Sequence, residues 1–395
     1  MKQKIMLIQK SKPPSLRLPG GREHRGATWL ELFYDLVFVV AVAGLSHRLS
    51  HHISFSDVIK FVALFIPIWW AWVGHTVYAT RFDTDDIVHR LLTIVIMFSG
   101  VIMAVYVSSG LEDGASGFAA GYVLARICLL IFYIRARLHV PEARQMTTLY
   151  LTGFGLGAFC WSISLAFPAP LKFILWAIGL CIDFVTPWIG RKRFLHKAPL
   201  DTSHFPERFG LFTIIVLGES ILAVVSGLSK GDWNLMSLFS GILAFILAVN
   251  IWWIYFTFIQ EVKHECHLGS GQPFIYAHLP IVISLTAIGA SISNIIQNSG
   301  SAGPSPEAVH LFCGAVAVWL VSFLTIQHLS IKNKMLKPLR APYAIGIVLI
   351  VSLSAFWRLY AIIILGIVDV IFLIILFIEL RVFKTISKVH YDSCH

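Results

Sequence analysis

Residues 29–47 read Trp29-Leu30-Glu31-Leu32-Phe33-Tyr34-Asp35-Leu36-Val37-Phe38-Val39-Val40-Ala41-Val42-Ala43-Gly44-Leu45-Ser46-His47. The run has the length of a bilayer span, which takes about 20 apolar residues, yet it carries two carboxylates four positions apart. Working outward, eleven more apolar runs lie between charged or Gly/Pro-rich breaks. They fall near residues 58–80, 90–109, 117–138, 147–167, 171–189, 208–228, 233–259, 274–297, 308–330, 341–356 and 360–379. The chain therefore reads as an all-α polytopic membrane protein with about 12 transmembrane helices.

Composition agrees. Of 395 residues, 57% are hydrophobic and 13% charged, and the net charge is +10. A water-soluble domain carries about 25% charged residues, so this chain lacks the polar surface to live in water alone. The six cysteines, Cys128, Cys160, Cys181, Cys266, Cys313 and Cys394, form no CxxC pair and indicate neither a disulfide framework nor a zinc ribbon. The basic stretch before residue 28 holds only a four-residue apolar run, Ile5 to Ile8, too short for a signal-peptide core. It reads as a cytoplasmic arm drawn to anionic lipids, and no nucleic-acid partner is expected.

Charge distribution orients the spans. With the N-terminus cytoplasmic, cytoplasmic segments hold 25 Lys/Arg, and the outside holds five: Arg48, Lys60, Lys172, Lys230 and Arg358. That imbalance follows the positive-inside rule and puts both termini on the cytoplasmic side of the membrane. The expected organisation is a basic arm (1–28), a first six-helix set (29–190), a linker (191–207), a second six-helix set (208–380) and a tail (381–395).

The two sets echo each other. Trp69-Trp70-Ala71-Trp72 and Trp252-Trp253-Ile254-Tyr255 contain the two Trp-Trp pairs of the chain, 183 residues apart. At offsets between 176 and 189, Glu31-x-Phe33 matches Glu207-x-Phe209, His89 with Gly100 matches His278 with Gly289, and Asp183 matches Asp369. Six is even, so a duplication of this length gives parallel repeats.

Ionisable groups at bilayer depth cost about 2.5–3.5 kcal/mol each on insertion scales, so they face a bundle interior or an aqueous cavity. Glu31 and Asp35 share a helix face at i, i+4. They suit a proton relay or cation site, or else sit solvated at the mouth near Arg25. Glu219 follows Gly218 and precedes Ser220 near mid-span, so it is expected to pack against another helix and bond a partner there. Glu207, behind Pro206, fits the first turn of a helix, where an acid suits the helix dipole, better than it fits a binding site. Arg126 is the basic residue deep within a run and requires a carboxylate, with Asp183, Glu219 and Asp35 as the alternatives. Asp183 and Asp369 are apolar-flanked and therefore interior. His75, Tyr78, Asn250, Asn294 and Gln297 are pore-lining or interhelical candidates.

His47, His51 and His52 lack a further ligand type nearby and read as interface histidines rather than a metal site. The Glu261-to-His267 cluster likewise lacks a zinc-ligand spacing. No GxxxxGK[ST] loop or HExxH occurs, no cofactor signature is present, and the short cytoplasmic loops leave no room for a soluble catalytic domain. An enzyme is thus not expected.

Two motifs carry a family resemblance. Glu31-Leu-Phe-Tyr-Asp35-Leu-Val-Phe-Val and Glu207-Arg-Phe-Gly-Leu-Phe-Thr-Ile-Ile-Val-Leu-Gly-Glu219-Ser resemble the bacterial low-temperature-requirement protein A family, with the likeness running from about residue 22 to 380. The resemblance implies a multi-pass inner-membrane protein linked by name to growth in the cold. It marks Glu31, Asp35, Glu207 and Glu219 for testing and carries no catalytic roles. A more distant likeness is to two-repeat, twelve-span potassium channels with a Phe-Ser-Asp motif, from which Phe33-Tyr34-Asp35 departs. The residues themselves point to a secondary transporter of a small solute or ion, with Glu219 and Asp35 binding the coupling ion and Arg126 as their charge partner. The alternatives are an ion channel and a membrane-embedded enzyme or structural protein for cold adaptation.

Overall fold

Helix α3 (Ile87–Tyr106) shows which solvent the fold is built for. Leu91, Ile94, Phe98, Val101 and Val105 are exposed on its outer side, while His89, Thr93, Ser99 and Gly100 are buried. A surface helix in water has the reverse arrangement. Apolar side chains outside and polar ones inside are stable only where lipid is the surroundings.

A computed structural model describes residues 13–17, 27–189, 204–230, 234–264, 271–299, 303–330 and 334–393. The helices within them are α1 (Trp29–His51), α2 (Phe55–Arg81), α3, α4 (Ala115–His139), α5 (Arg144–Ser164) and α6 (Leu171–Ile189). They continue with α7 (His204–Lys230), α8 (Leu235–His264), α9 (Gln272–Gln297), α10 (Pro306–Ser330), α11 (Arg340–Leu353) and α12 (Ala361–Ser393). The chain is an all-α polytopic membrane protein: twelve helices are described, and 11 of the described segments are long and apolar enough to span. Helix α5 is the exception, because Arg144, Gln145, three threonines and three glycines dilute its apolar content.

Helix starts follow local chemistry. Thr28 and Glu31 form a reciprocal cap on α1, with Thr28 N–H donating to Glu31 Oε2 at 2.7 Å and Glu31 N–H donating to Thr28 Oγ1 at 3.3 Å. Asp86 caps α3 by accepting from His89 N–H at 2.8 Å. Two short strands, β1 (Ser15–Leu16) and β2 (Phe82–Asp83), pair antiparallel, with Ser15 opposite Asp83 and Leu16 opposite Phe82. They tie part of the N-terminal arm to the α2–α3 loop.

The chain divides into two compact units, with breaks at Ala41/Val42, Ala63/Leu64 and Arg208/Phe209. The first holds α3–α6 with the start of α1, most of α2 and the first turn of α7. The second holds α8–α12 with the rest of α1, α2 and α7, apart from Gln272, which belongs with the first and donates to the Pro187 carbonyl at 2.8 Å.

In the first unit α5 packs closely against both α4 and α6. Glycines permit that approach: a Cβ on Gly157 would strike the Asp183 carboxylate and lie 3.1 Å from the Gly179 carbonyl, and one on Gly153 would strike Thr186. Gly155 faces the other way and has open space around its α-carbon. Small residues at a helix contact let backbones meet in lipid, where no hydrophobic force drives association. Gly157→Val is therefore expected to lower stability by about 1–3 kcal/mol through overpacking, with Gly155→Ala neutral or slightly stabilising, as read by thermal denaturation in detergent.

Candidate functional site

The first unit is organised around buried ion pairs. Asp35 on α1 and Arg208 on α7 are both fully buried, with Arg208 Nη2 donating to Asp35 Oδ1 at 2.7 Å. Trp72 Nε1 of α2 donates to the same oxygen at 2.8 Å. One turn toward the helix starts, Glu31 Oε1 lies 3.5 Å from His204 Nε2. The spacing Glu31-x-x-x-Asp35 on α1 thus meets His204-x-x-x-Arg208 on α7, and the contact is a ladder of two rungs. Among the described residues, Asp35 Oδ2 and Arg208 Nε and Nη1 have no hydrogen-bond partners. Glu31 and Asp35 each have their own partner and do not form a shared carboxylate site.

Arg126 on α4 takes Asp183 on α6, with Nη2 to Oδ1 at 2.7 Å. Tyr122 donates to Asp183 Oδ2 at 2.8 Å, and the guanidinium lies 4.6 Å from the Phe154 ring centroid. Of the three alternatives raised by the sequence, the structure selects Asp183; Arg126 is not the charge partner of Asp35 or Glu219. Arg135 and the helix-capping Asp86 form a further pair at 2.6 Å.

Two histidines lie beside the ladder. The Tyr34 hydroxyl donates to the Trp72 carbonyl at 3.2 Å, and its ring lies 4.6 Å from that of His75. His75 Nε2 is bonded to Thr93 Oγ1 at 3.1 Å, and its ring centroid lies 5.8 Å from that of His89. His89 and Glu31 then form part of the wall of a cavity of about 530 Å³, whose charged lining is Glu31, Asp83, Asp85, Arg17 and Arg90. Three carboxylates face two guanidiniums there, and the volume falls within the range of small-molecule pockets.

The second unit handles buried acids differently. Asp369 on α12 accepts from Asn250 Nδ2 of α8 at 3.3 Å, and its Oδ2 has no hydrogen-bond partner among the described residues. Glu379, also on α12, accepts from Gln327 and from the Tyr343 hydroxyl, the latter at 2.7 Å. Tyr255 of α8 joins Thr213 of α7 at 3.1 Å and His278 of α9 at 2.9 Å. No described Lys or Arg forms an ion pair with Asp369 or Glu379.

Glu219 differs from its expected packing. It is half-buried and, among the described residues, has no hydrogen bond or ion pair. Gly218 faces open space, and the close approach to α9 is made by Ser220, whose Oγ would lie 3.1 Å from a Cβ on Gly289. Glu207 is half-buried in the first turn of α7. Of the polar candidates, His75, Tyr78 and Asn250 are buried, Asn294 is half-buried and Gln297 is exposed.

His47 and His51 meet through their Nε2 atoms at 3.3 Å, exposed on α1. Among the described residues no three His, Cys, Asp or Glu side chains gather as a metal site. The side chains of the Glu261-to-His267 cluster lie outside the described residues.

Sequence reasoning missed His204, Arg208 and Glu379. The first two were discoverable from their i, i+4 spacing, which matches that of Glu31 and Asp35. Glu379 stood at a presumed span end, but α12 continues past it to Ser393.

The family described as bacterial low temperature requirement A protein (LtrA) matches residues 26–377. An uncharacterised protein of Rhizobium meliloti (strain 1021) is 30% identical over 287 residues, which cover 68% of this chain and 69% of the relative.

Arg126→Leu should leave Asp183 buried and unpaired, costing about 3–5 kcal/mol, whereas Arg126→Leu/Asp183→Leu should recover most of that loss. Thermal denaturation of the single and double variants in detergent measures the coupling. Additive losses would remove the pair as a stabilising unit.

Proposed function

The chain belongs to the bacterial low temperature requirement A family, and on that premise we propose that it is a secondary transporter of a small solute or ion, coupled through carboxylates at membrane depth. The observation that carries this reading is the contrast between the two units. Asp35 and Asp183 each hold an arginine at 2.7 Å, whereas Asp369 has an amide at 3.3 Å and Glu219 has no bonded partner among the described residues. An acid at membrane depth without a built-in cation needs a mobile counter-ion, either a proton or a small cation. The coupling residues are therefore Asp369 and Glu219, and Asp35 and Asp183 serve as fixed charges. Glu31 and Glu207 lie in the first turns of α1 and α7, and Glu31 forms part of the solute cavity of the first unit.

The sequence sets 29–190 and 208–380 form a duplication in this reading. Supporting it, Trp72 and Tyr255 stand 183 residues apart and both bond a polar side chain of the preceding helix, Asp35 and Thr213 respectively. The even number of helices puts both termini on one side, and the Lys/Arg excess makes that side the cytoplasm of an inner membrane. The basic arm then meets anionic lipid.

Protein reconstituted in liposomes tests the proposal through solid-supported-membrane currents, screened with pooled cations, amino acids and organic ions, with and without a pH gradient. A saturable, ion-coupled current should be present in the wild type and lost in Asp369→Asn. Glu219→Gln should alter the coupling or abolish it. Non-saturable conductance would replace the transporter with a channel, and an unaltered coupled current in both variants would remove these acids from the mechanism.

A further inference from the structure

The second unit carries a groove that the transport reading does not use. It has a volume of about 640 Å³ and lies between the start of α2, the middle of α9 and the first half of α10. Phe55, Val58, Phe61, Ile283, Ala287 and Val318 supply most of its apolar lining. Phe61 and Ala287 are buried, whereas Phe55 and Val318 are exposed at 83% and 45%, so the groove opens outward along the side of the unit. In a membrane-spanning chain that side faces lipid.

Its charged and imidazole groups are confined to the end where two helices begin. Ser54 caps α2 through Asp57, accepting from its N–H at 3.1 Å, and Ser305 caps α10, accepting from Ala308 N–H at 3.2 Å. Glu307 and His310, at i, i+3 on α10, line the same end. They are exposed and form no hydrogen bond or ion pair among the described residues. Ser284, deeper in, is already satisfied by the Pro280 and Ile281 carbonyls at 2.7 and 2.9 Å. The groove thus carries its charged group at the helix starts and is mainly apolar below them.

Its length fits one leaflet. From Glu307 to Val318 the helix rises about 16 Å at 1.5 Å per residue, and half of a hydrocarbon core is about 15 Å. The floor passes Gly314, where an added Cβ would meet nothing within 4 Å.

We propose that this groove is a binding site for one phospholipid with an amine headgroup. The acyl chain lies along Gly314 and Val318, the phosphate sits by His310, and the ammonium meets the Glu307 carboxylate. A bare apolar groove would take any acyl chain. The carboxylate at its mouth selects an amine head and disfavours an anionic one.

The test uses the full chain in vesicles made from equimolar phosphatidylethanolamine and phosphatidylglycerol, extracted in mild detergent and examined by native mass spectrometry. The wild type should retain one phosphatidylethanolamine per chain. Gly314→Trp should fill the floor and reduce retention by about tenfold, which is about 1.4 kcal/mol, while Gly314→Ala should retain the lipid. Glu307→Gln should keep a lipid but lose the preference for the amine head. Thermal denaturation of each variant separates loss of lipid from loss of fold. Equal retention of both lipids by the wild type, undiminished retention by a folded Gly314→Trp, or a dimer of this chain dissociated by Gly314→Trp would each overturn the proposal.

Discussion

A guanidinium keeps its charge at any physiological pH, and hydrocarbon offers it no solvation. Arg126 and Arg208 are 1% and 0% exposed, so each needs a carboxylate on a neighbouring helix at hydrogen-bond distance. That requirement ties α4 to α6 through Asp183, and α1 to α7 through Asp35. Other features of the first unit accommodate these bonds. Gly157 has no side chain because the Asp183 carboxylate occupies that space, Tyr122 satisfies the second Asp183 oxygen, and Trp72 shares the Asp35 oxygen that Arg208 uses. In lipid, where apolar contact between helices gives little net gain, such pairs set position more than they add stability.

The span pattern was legible because lipid imposes a simple length and polarity rule on each helix. The described helices largely coincide with the apolar runs, and the need of Arg126 for an acid could be read from its flanks. What remained hidden was which side chains meet. Arg208 sits at the start of an apolar run, where a basic residue can snorkel to water, so its complete burial depends on α1 lying alongside. Glu379 precedes Arg381 and Lys384, a sequence that looks like the end of a span, although the helix carries on to Ser393. Glu219 shows the opposite failure. Its small neighbours suggested a tight contact, but the contact is made on the Ser220 face of α7.

The second unit contains buried acids but uses neutral donors around them. Asn250 faces Asp369, and Gln327 and Tyr343 face Glu379. Neutral donors stabilise a carboxylate by hydrogen bonding without fixing a compensating charge beside it. A carboxylate next to an arginine is committed to that partner, because separating them leaves two uncompensated charges at a cost of several kcal/mol. One next to an amide can exchange its counter-ion while keeping its hydrogen bond. The two units therefore surround the same residue type in two ways, with a guanidinium in the first and with neutral donors in the second.

This difference bears on the proposed duplication. In the proposed duplication, Trp72 and Tyr255 correspond, and each still reaches a side chain on the preceding helix. The first meets a carboxylate held by Arg208, and the second meets Thr213 and His278. Replacing a charged contact by a hydroxyl network lowers the energy needed to rearrange it, since no ion has to be stripped from its partner in a low-dielectric interior. Two copies with equally strong ion pairs would both be locked, and two copies with none would leave Arg126 and Arg208 without support. In the proposed transporter, keeping the buried guanidiniums in one unit would make its acids the fixed charges and leave those of the other free to change protonation or bound cation.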